Sequence, residues 1–361
     1  MDGKQFGSHR IHPCSPDDVA DLMRFIGEHY AADHVLSYHR ELLDWLYYDE
    51  ARDRYNFALA RSNETDELIG VLGFIPTSHY DPDLTDRSVT WLSMWQVRED
   101  VGPSGFGLQL LNVVSNYRSP VAVGAIGIND DVARIYRRLK YRVTTLDHHY
   151  MVNRTMDGED LSLVDRFDGR YTAPEYASVA SAPALRDVTA DFEGYSDRED
   201  LGFLGRGLPA LSARYVTNRY VEHPFFDYRV YAVERGTACE GLLAVRPASH
   251  GGATALRWVE YLGDPAALRG LGPELQSLLR AEGAEYVDIY SAGTDPERFA
   301  EAGMLTRDPK PDSGSSVVIP NYYEPFERRN VEIDVAYRVE NDADPVVYNG
   351  HGDMDRPNDP D

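Results

Sequence analysis

The stretch that decides the fold is Val97-Arg98-Glu99-Asp100-Val101-Gly102-Pro103-Ser104-Gly105-Phe106-Gly107-Leu108-Gln109-Leu110-Leu111. Ahead of it, T-W-L-S-M-W-Q (Thr90 to Gln96) is an apolar, aromatic run of strand character. Behind it, Leu108, Leu110, Leu111, Val113 and Val114 recur at helical spacing, so a helix is expected over 106–117. Strand, glycine-rich turn and helix together aim several backbone N–H groups at one point. At a helix N-terminus those groups have no internal partner, and the aligned peptide dipoles favour negative charge there. Gly105 and Gly107 let the backbone come close, with no Cβ in the way. The turn is therefore a candidate cradle for the phosphates of a cofactor, although glycine turns ahead of helices also occur where nothing binds.

The chain has 361 residues, enough for two domains, and 42% hydrophobic with 11% aromatic content can fill their cores. Sixty Asp and Glu against 36 Lys and Arg give a formal charge of −24, and only three of the basic residues are lysine (Lys4, Lys140, Lys310). That charge argues against nucleic acid or an anionic membrane as partner. It fits a salt-rich cytoplasm, where screening weakens self-repulsion, as well as it fits an acidic mesophile with an arginine-biased composition. No apolar run approaches the ~20 residues of a membrane span, and the start M-D-G-K-Q-F-G-S-H-R has no signal-peptide core. A cytoplasmic protein is expected. Cys14 and Cys239 stand alone, and His29, His34 and His39 walk around a helix rather than line one face, so no metal is expected.

In chain order, Ser15-Pro16-Asp17-Asp18 opens a helix carrying Val19, Leu22, Met23, Phe25 and Ile26, and a second helix is expected over 38–48. Strands follow at 56–61 and 68–75, then the strand before the glycine turn, the helix, and a buried strand at 120–128. A capped helix is expected over 129–141 and one closing strand over 142–152. A similar order recurs after residue 200: a helix at 209–222, strands at 228–235, 241–247 and 255–262, a helix at 273–282, a strand at 286–290, a short helix at 296–302 and a strand at 317–320. N-F-A-L-A-R (56–61) is echoed by V-Y-A-V-E-R (230–235), and G-V-L-G-F (70–74) by G-L-L-A-V (241–245). This reads as an internal duplication: an N-terminal domain at 1–155, a linker and opening helix at 156–200, a C-terminal domain at 201–340 and an acidic tail at 341–361. By composition the tail is expected to be disordered.

This order resembles the GCN5-related N-acetyltransferase superfamily, and two motifs carry the likeness. Gly102, Gly105 and Gly107 fall on the superfamily's acyl-CoA loop, although Gly102 stands where Gln or Arg is usual. Asn129, Val132, Tyr136, Lys140 and Tyr141 fall on its second motif, with Lys140 in place of a glycine. The resemblance implies two tandem α/β lobes, each a mixed, mostly antiparallel sheet flanked by helices. It implies acetyl-CoA or another acyl-CoA as co-substrate. Val97, Arg98, Gly102, Ser104, Gly105, Phe106, Gly107, Leu108 and Asn129 would hold it, and Tyr136 would act as general acid. A core tyrosine is the plain alternative for Tyr136. Glu99 and Asp100 are candidate bases, or solvated acids beside a turn.

The second lobe keeps the element order without the glycine spacing, and Phe299 stands where Tyr136 does, so it looks like a lobe without its own acyl-CoA site. Arg219, His223 and Glu260 are its candidate acceptor-binding residues, with ordinary salt-bridged surface residues as the alternative for Arg219 and His223. The segments 219–231, 319–326 and 352–358 resemble tandem proteins of surface-polysaccharide gene sets. The acceptor that follows is a small amine, in its narrower form a nucleotide-linked amino sugar, and the protein a monomer or homodimer. Two other readings stand beside this one. One is an aminoacyl transferase using charged tRNA, which the acidic charge disfavours. The other is a non-catalytic protein on the same fold.

Overall fold

The computed structural model describes residues 3–100, 105–156, 158–166, 179–307, 317–340 and 344–359. Its first helix starts as its sequence dictates. The Asp18 carboxylate accepts from both the backbone N–H and the hydroxyl of Ser15 (3.0 and 2.6 Å), and Val19–His29 then buries Val19, Leu22, Phe25 and Ile26. The expected second helix runs Arg40–Tyr47, opened by the His39 ring, which accepts from the N–H of Leu42 at 3.1 Å. His34 opens the preceding turn in the same way through Leu36. Two of the three spaced histidines are therefore caps. Among the described residues no cluster of metal-ligating side chains occurs, and no helix is long and apolar enough to cross a membrane.

Two mostly antiparallel sheets, flanked by helices, carry the structure. The order of the first is Lys4–Phe6, His9–Cys14, Arg54–Ser62, Leu68–Pro76, Val89–Val97, Ala122–Ile128, Asp334–Val339 and Arg142–Thr145. Its one parallel pair is Val89–Val97 with Ala122–Ile128, joined by the helix Phe106–Ser115. Leu68–Pro76 is buried along its whole length, as a strand covered on both faces must be. The second sheet runs Ala184–Asp187, Arg229–Arg235, Ala238–His250, Ala253–Gly263, Ala284–Ala292, Asp147–Val152 and Leu305–Thr306.

The expected closing strand at 142–152 is not one strand. The chain breaks at Leu146: Arg142–Thr145 stays in the first sheet, while Asp147–Val152 pairs with Ala284–Ala292 in the second. In return Asp334–Val339, from the second half of the sequence, inserts between Ala122–Ile128 and Arg142–Thr145. Each sheet thus holds a strand from the other half of the sequence. A boundary at 155 follows a strand of the second sheet, and one at 340 follows a strand of the first. One apolar cluster also joins the halves, with Tyr47 and Phe57 in the same core as Tyr215, Tyr220, Val230 and Leu242. The expected helix at 209–222 is a short turn, Ala213–Val216, running into a wider one at Thr217–Val221. The expected strand at 317–320 is a single bridge, Val318 to Asp165.

The tail overturns its composition. Within 344–359, Val347, Tyr348, Asn349 and His351 are buried. Val347 and Tyr348 pair with Ala292 and Ser291 of the second sheet, and the N–H of Gly350 donates to Val259 O at 2.8 Å. Asp353 and Asp355 have cationic and hydroxyl partners inside the protein, a provision that composition cannot reveal.

Candidate active site

The site begins where the parallel strands part. Val89 to Leu92 pair with Ala122 to Ala125, and past that point no ladder pairing joins the two. Each strand carries a bulge just beyond. Leu72 pairs with Trp95 and Gly73 with Ser93, leaving Met94 over at φ 22°. Asp334 pairs with Ile128 and Val335 with Ile126, leaving Gly127 over at φ 75°. An extra residue bends its strand and adds twist, and two of them on facing strands hold the pair apart. The gap opens into a cleft of about 470 Å³, within the range of small-ligand sites. Leu92 to Gln96 form one edge, Ala125 to Asn129 the other, and Tyr136 and Val132 close its base.

Tyr136 lies on the helix Asp130–Arg138, which Asn129 caps by accepting from Val132 N–H at 3.0 Å. Its ring packs 4.8 Å from that of Tyr141 and 6.0 Å from Trp95. Burial pushes its phenol well above the ordinary tyrosine range, so it keeps its proton at any working pH. Gly105, at φ 94°, precedes the helix Phe106–Ser115 and turns the chain into it. A Cβ on Gly107 would sit 3.1 Å from the Trp95 indole, so this glycine sets how closely the helix lies on its strand. Phe106 is buried under Gly70 and Leu108 is exposed. Gly102 and Ser104 lie outside the described residues.

Several expected residues lie elsewhere. Arg98 faces away from the cleft, 2.8 Å from Asp100 and 3.2 Å from Glu67. That contact holds the Asp100 carboxyl below its usual range. Glu99 and Asp100 are exposed and line no part of the cleft, and Val97 lies just past its rim. Asn129 is on the rim, its side chain engaged as the cap.

Two of the three acceptor candidates, Arg219 and Glu260, serve the tail, and His223 pins the turn that follows it in sequence. Arg219 is fully buried against Trp45, Tyr80 and Tyr220, and its Nη2 donates to the carbonyls of Gly350 (3.3 Å) and Asp355 (3.2 Å). Glu260 lies 2.9 Å from His351 Nε2 and accepts from the Tyr220 hydroxyl at 3.1 Å. His223 accepts from the N–H groups of Phe225 and Phe226, and burial pulls its pKa down to about 2. Arg246 adds a two-pronged contact to Asp355, with Nη2 at 2.7 Å and Nε at 2.9 Å, while its guanidinium stacks 3.8 Å over Phe226. Burial opposes ionisation of Asp355, but Arg246 and the Tyr228 hydroxyl outweigh it and hold the carboxyl well below its usual range.

Held this way, the tail does two things. In the second sheet the parallel pair Ala253–Gly263 and Ala284–Ala292 also separates, beyond Arg257 and Asp288, and Val259 is bulged there as Met94 is in the first. The tail fills that gap, with Gly350 fitted so closely that a Cβ would lie 2.6 Å from Val259 O. It then continues to the first cleft and supplies Asp353, Met354, Arg356 and Asn358 to its far wall, beside Tyr30 and Tyr322. Sequence reasoning did not find these wall residues. The one signal was the 352–358 segment's resemblance to tandem proteins, which carried no role for any residue in it.

The architecture is that of the GCN5-related N-acetyltransferase fold. The GCN5-related N-acetyltransferase from Anabaena variabilis aligns over 92% of this chain and 73% of its own, with a TM-score of 0.51 and 10% identity. A putative acetyltransferase from Pyrococcus horikoshii aligns over 94% and 92%, with a TM-score of 0.46 and 11% identity. Saccharomyces cerevisiae N-myristoyltransferase, solved with bound myristoyl-CoA and inhibitors, aligns over 93% and 80% at 0.45 and 11%. No family model and no curated protein matches the sequence. At such identities the likeness concerns the fold, and the chemistry must be argued from the cleft.

Proposed function

We propose that the protein is an acyl-CoA-dependent N-acyltransferase, with acetyl-CoA as donor and a small primary amine, in its narrower form a nucleotide-linked amino sugar, as acceptor. The observation that carries this reading is the bulged, parted parallel pair with a protonated tyrosine at its base and a glycine-led helix N-terminus beside it. Backbone groups of Met94 to Gln96 that face the gap can pair with the amides of a pantetheine arm, which would extend the sheet by one strand. The N–H groups of the first turn after Gly105 can receive the pyrophosphate. Acyl transfer then needs the amine nitrogen aligned on the thioester carbonyl and a proton for the departing thiolate. Tyr136 holds such a proton and lies against the cleft.

Titration calorimetry with acetyl-CoA tests this, comparing the wild type with Gly105→Glu and Gly105→Ala. A Cβ at Gly105 would meet nothing within 4 Å. Both variants therefore carry the same backbone strain, about 1–2 kcal/mol, and only the glutamate places a negative charge at the helix N-terminus. Binding by the wild type and the alanine variant, lost in the glutamate variant, supports the reading. Absence of binding by the wild type sinks it. Thiol release with a panel of primary amines, including glucosamine 1-phosphate and a UDP-linked amino sugar, then identifies the acceptor.

A further inference from the structure

Resting on the acyl-transfer reading, the chemistry still lacks one group: something to take the proton of an amine that arrives as an ammonium ion. Glu99 and Asp100 lie outside the cleft. Among the described residues lining it, Asp353 is the one carboxylate. We propose that Asp353 is the proton acceptor for the amine, carried into the first lobe's cleft by a C-terminal segment that is anchored in the second.

The position of the carboxylate fits. The Tyr47 hydroxyl sits between Ser93 Oγ at 3.0 Å and Asp353 Oδ2 at 3.3 Å, and Ser93 adjoins the bulged Met94. Asp353 therefore stands across one phenol from the point where the strands part. Arg356 Nη1 lies 3.1 Å from the same Oδ2. Both contacts fall on Oδ2, so Oδ1 has no protein partner among the described residues. The side chain is 18% exposed, which leaves the proton a path to solvent. The other titratable groups facing it do not compete. Burial, reinforced by the charge of Asp353, pushes the phenols of Tyr47 and Tyr30 up, so they stay protonated. Burial and Arg356 pull His34, behind Arg356, down to about 3.

The step balances without a further reagent. The ammonium gives one proton to Asp353, and the freed nitrogen lone pair forms the C–N bond at the thioester carbonyl. The C–S bond breaks, the thiolate takes the Tyr136 proton, and the nitrogen's surplus proton restores the phenol. Asp353 releases its proton to water, so each turnover yields amide, thiol and one proton.

The test compares wild type, Asp353→Asn and Asp353→Ser in thiol release from acetyl-CoA, with two nucleophiles. One is the best alkylammonium acceptor of the amine panel. The other is hydroxylamine, whose nitrogen is largely unprotonated near neutral pH. Removing a positioned base should lower the alkylammonium rate about a hundredfold or more. The deficit should shrink as the pH rises toward the amine's own pKa, and hydroxylamine turnover should stay near wild type. Acetyl-CoA affinity by calorimetry should not change. A wild type that binds acetyl-CoA but turns over neither nucleophile defeats the transferase reading and this proposal together. A wild type that is active beside an Asn variant of unchanged alkylammonium rate overturns Asp353 alone. So does a variant that loses both nucleophiles equally at every pH, which marks a structural role.

Discussion

Asp355→Asn is the perturbation that most directly probes how the tail is held. The carboxylate receives three contacts from Arg246, at 2.7, 2.9 and 3.2 Å, and one from the Tyr228 hydroxyl at 2.5 Å. Both side chains of the ion pair are about nine-tenths buried. Removing one partner of such a pair leaves a desolvated charge and typically costs about 3–5 kcal/mol, a large share of the about 5–15 kcal/mol of a typical protein. Urea unfolding should show the midpoint fall accordingly. Adding Arg246→Met removes the stranded charge, so the double variant should recover much of the loss, a coupling that a double-mutant cycle reads directly.

The pH dependence has a definite sign. The folded carboxyl lies below its unfolded value, so its contribution is fully present above the unfolded pKa of about 3.9 and fades as the pH falls toward the folded value. The stability gap between wild type and variant should therefore narrow only in acid. Asp353, Met354 and Arg356 flank residue 355, so turnover should fall further than acetyl-CoA affinity. A variant within about 1 kcal/mol of wild type, or one whose loss is unchanged in the Arg246→Met background, would refute the argument.

Gly350→Ala should destabilise by about 1–3 kcal/mol in the same urea assay, because its Cβ would lie 2.6 Å from Val259 O and 2.7 Å from the Tyr220 hydroxyl. Tyr136→Phe should bind acetyl-CoA with unchanged heat yet lose about 10²–10⁴ in turnover; unchanged turnover removes the phenol from the reaction. Calorimetry should find one acetyl-CoA per chain, since the second gap holds the tail. Cys14 and Cys239 are buried, and burial first, with Asp18 adding for Cys14, pushes both thiols up. A disulfide reagent should therefore label neither until the protein unfolds, which keeps the background of a thiol-release assay low.

The parts of the site legible in the sequence are those fixed by local rules. Asn129 announced a capped helix, Gly105 the entry to another, and the apolar runs at 90–96 and 120–128 the two strands that the structure pairs in parallel. Tyr136 was named from the resemblance to the second motif, and its side chain lines the cleft. What escaped depended on distant partners. Nothing local says that the strand at 142–152 divides at Leu146, because both pieces have strand character and each is claimed by a different sheet. Arg219, His223 and Glu260 were singled out as candidate acceptor-binding residues, and their partners are Gly350, Asp355, His351 and the chain at 225–226. An acidic, polar tail reads as disordered until the buried Arg219 and Arg246 are known to face it.

The same tail bears on why, under the proposed function, two similar sheets would serve a single site. Both parallel pairs part at a bulge, Met94 in one lobe and Val259 in the other, so the geometry that opens a cleft arose in both. In the second lobe the opened backbone is satisfied from within, by Val347, Tyr348 and Gly350. Buried backbone groups left without partners are costly, and the tail supplies those partners here. Once there, the segment is fixed at one end by the second lobe and at the other reaches Tyr47 and His34 of the first. The filled gap thus becomes an anchor that sets the far wall of the open one. His351 sits at the junction, its ring 2.9 Å from Glu260 and stacked 5.0 Å from Trp91, on the strand that borders the cleft. A change in either lobe that moves the tail must therefore be felt at Asp353.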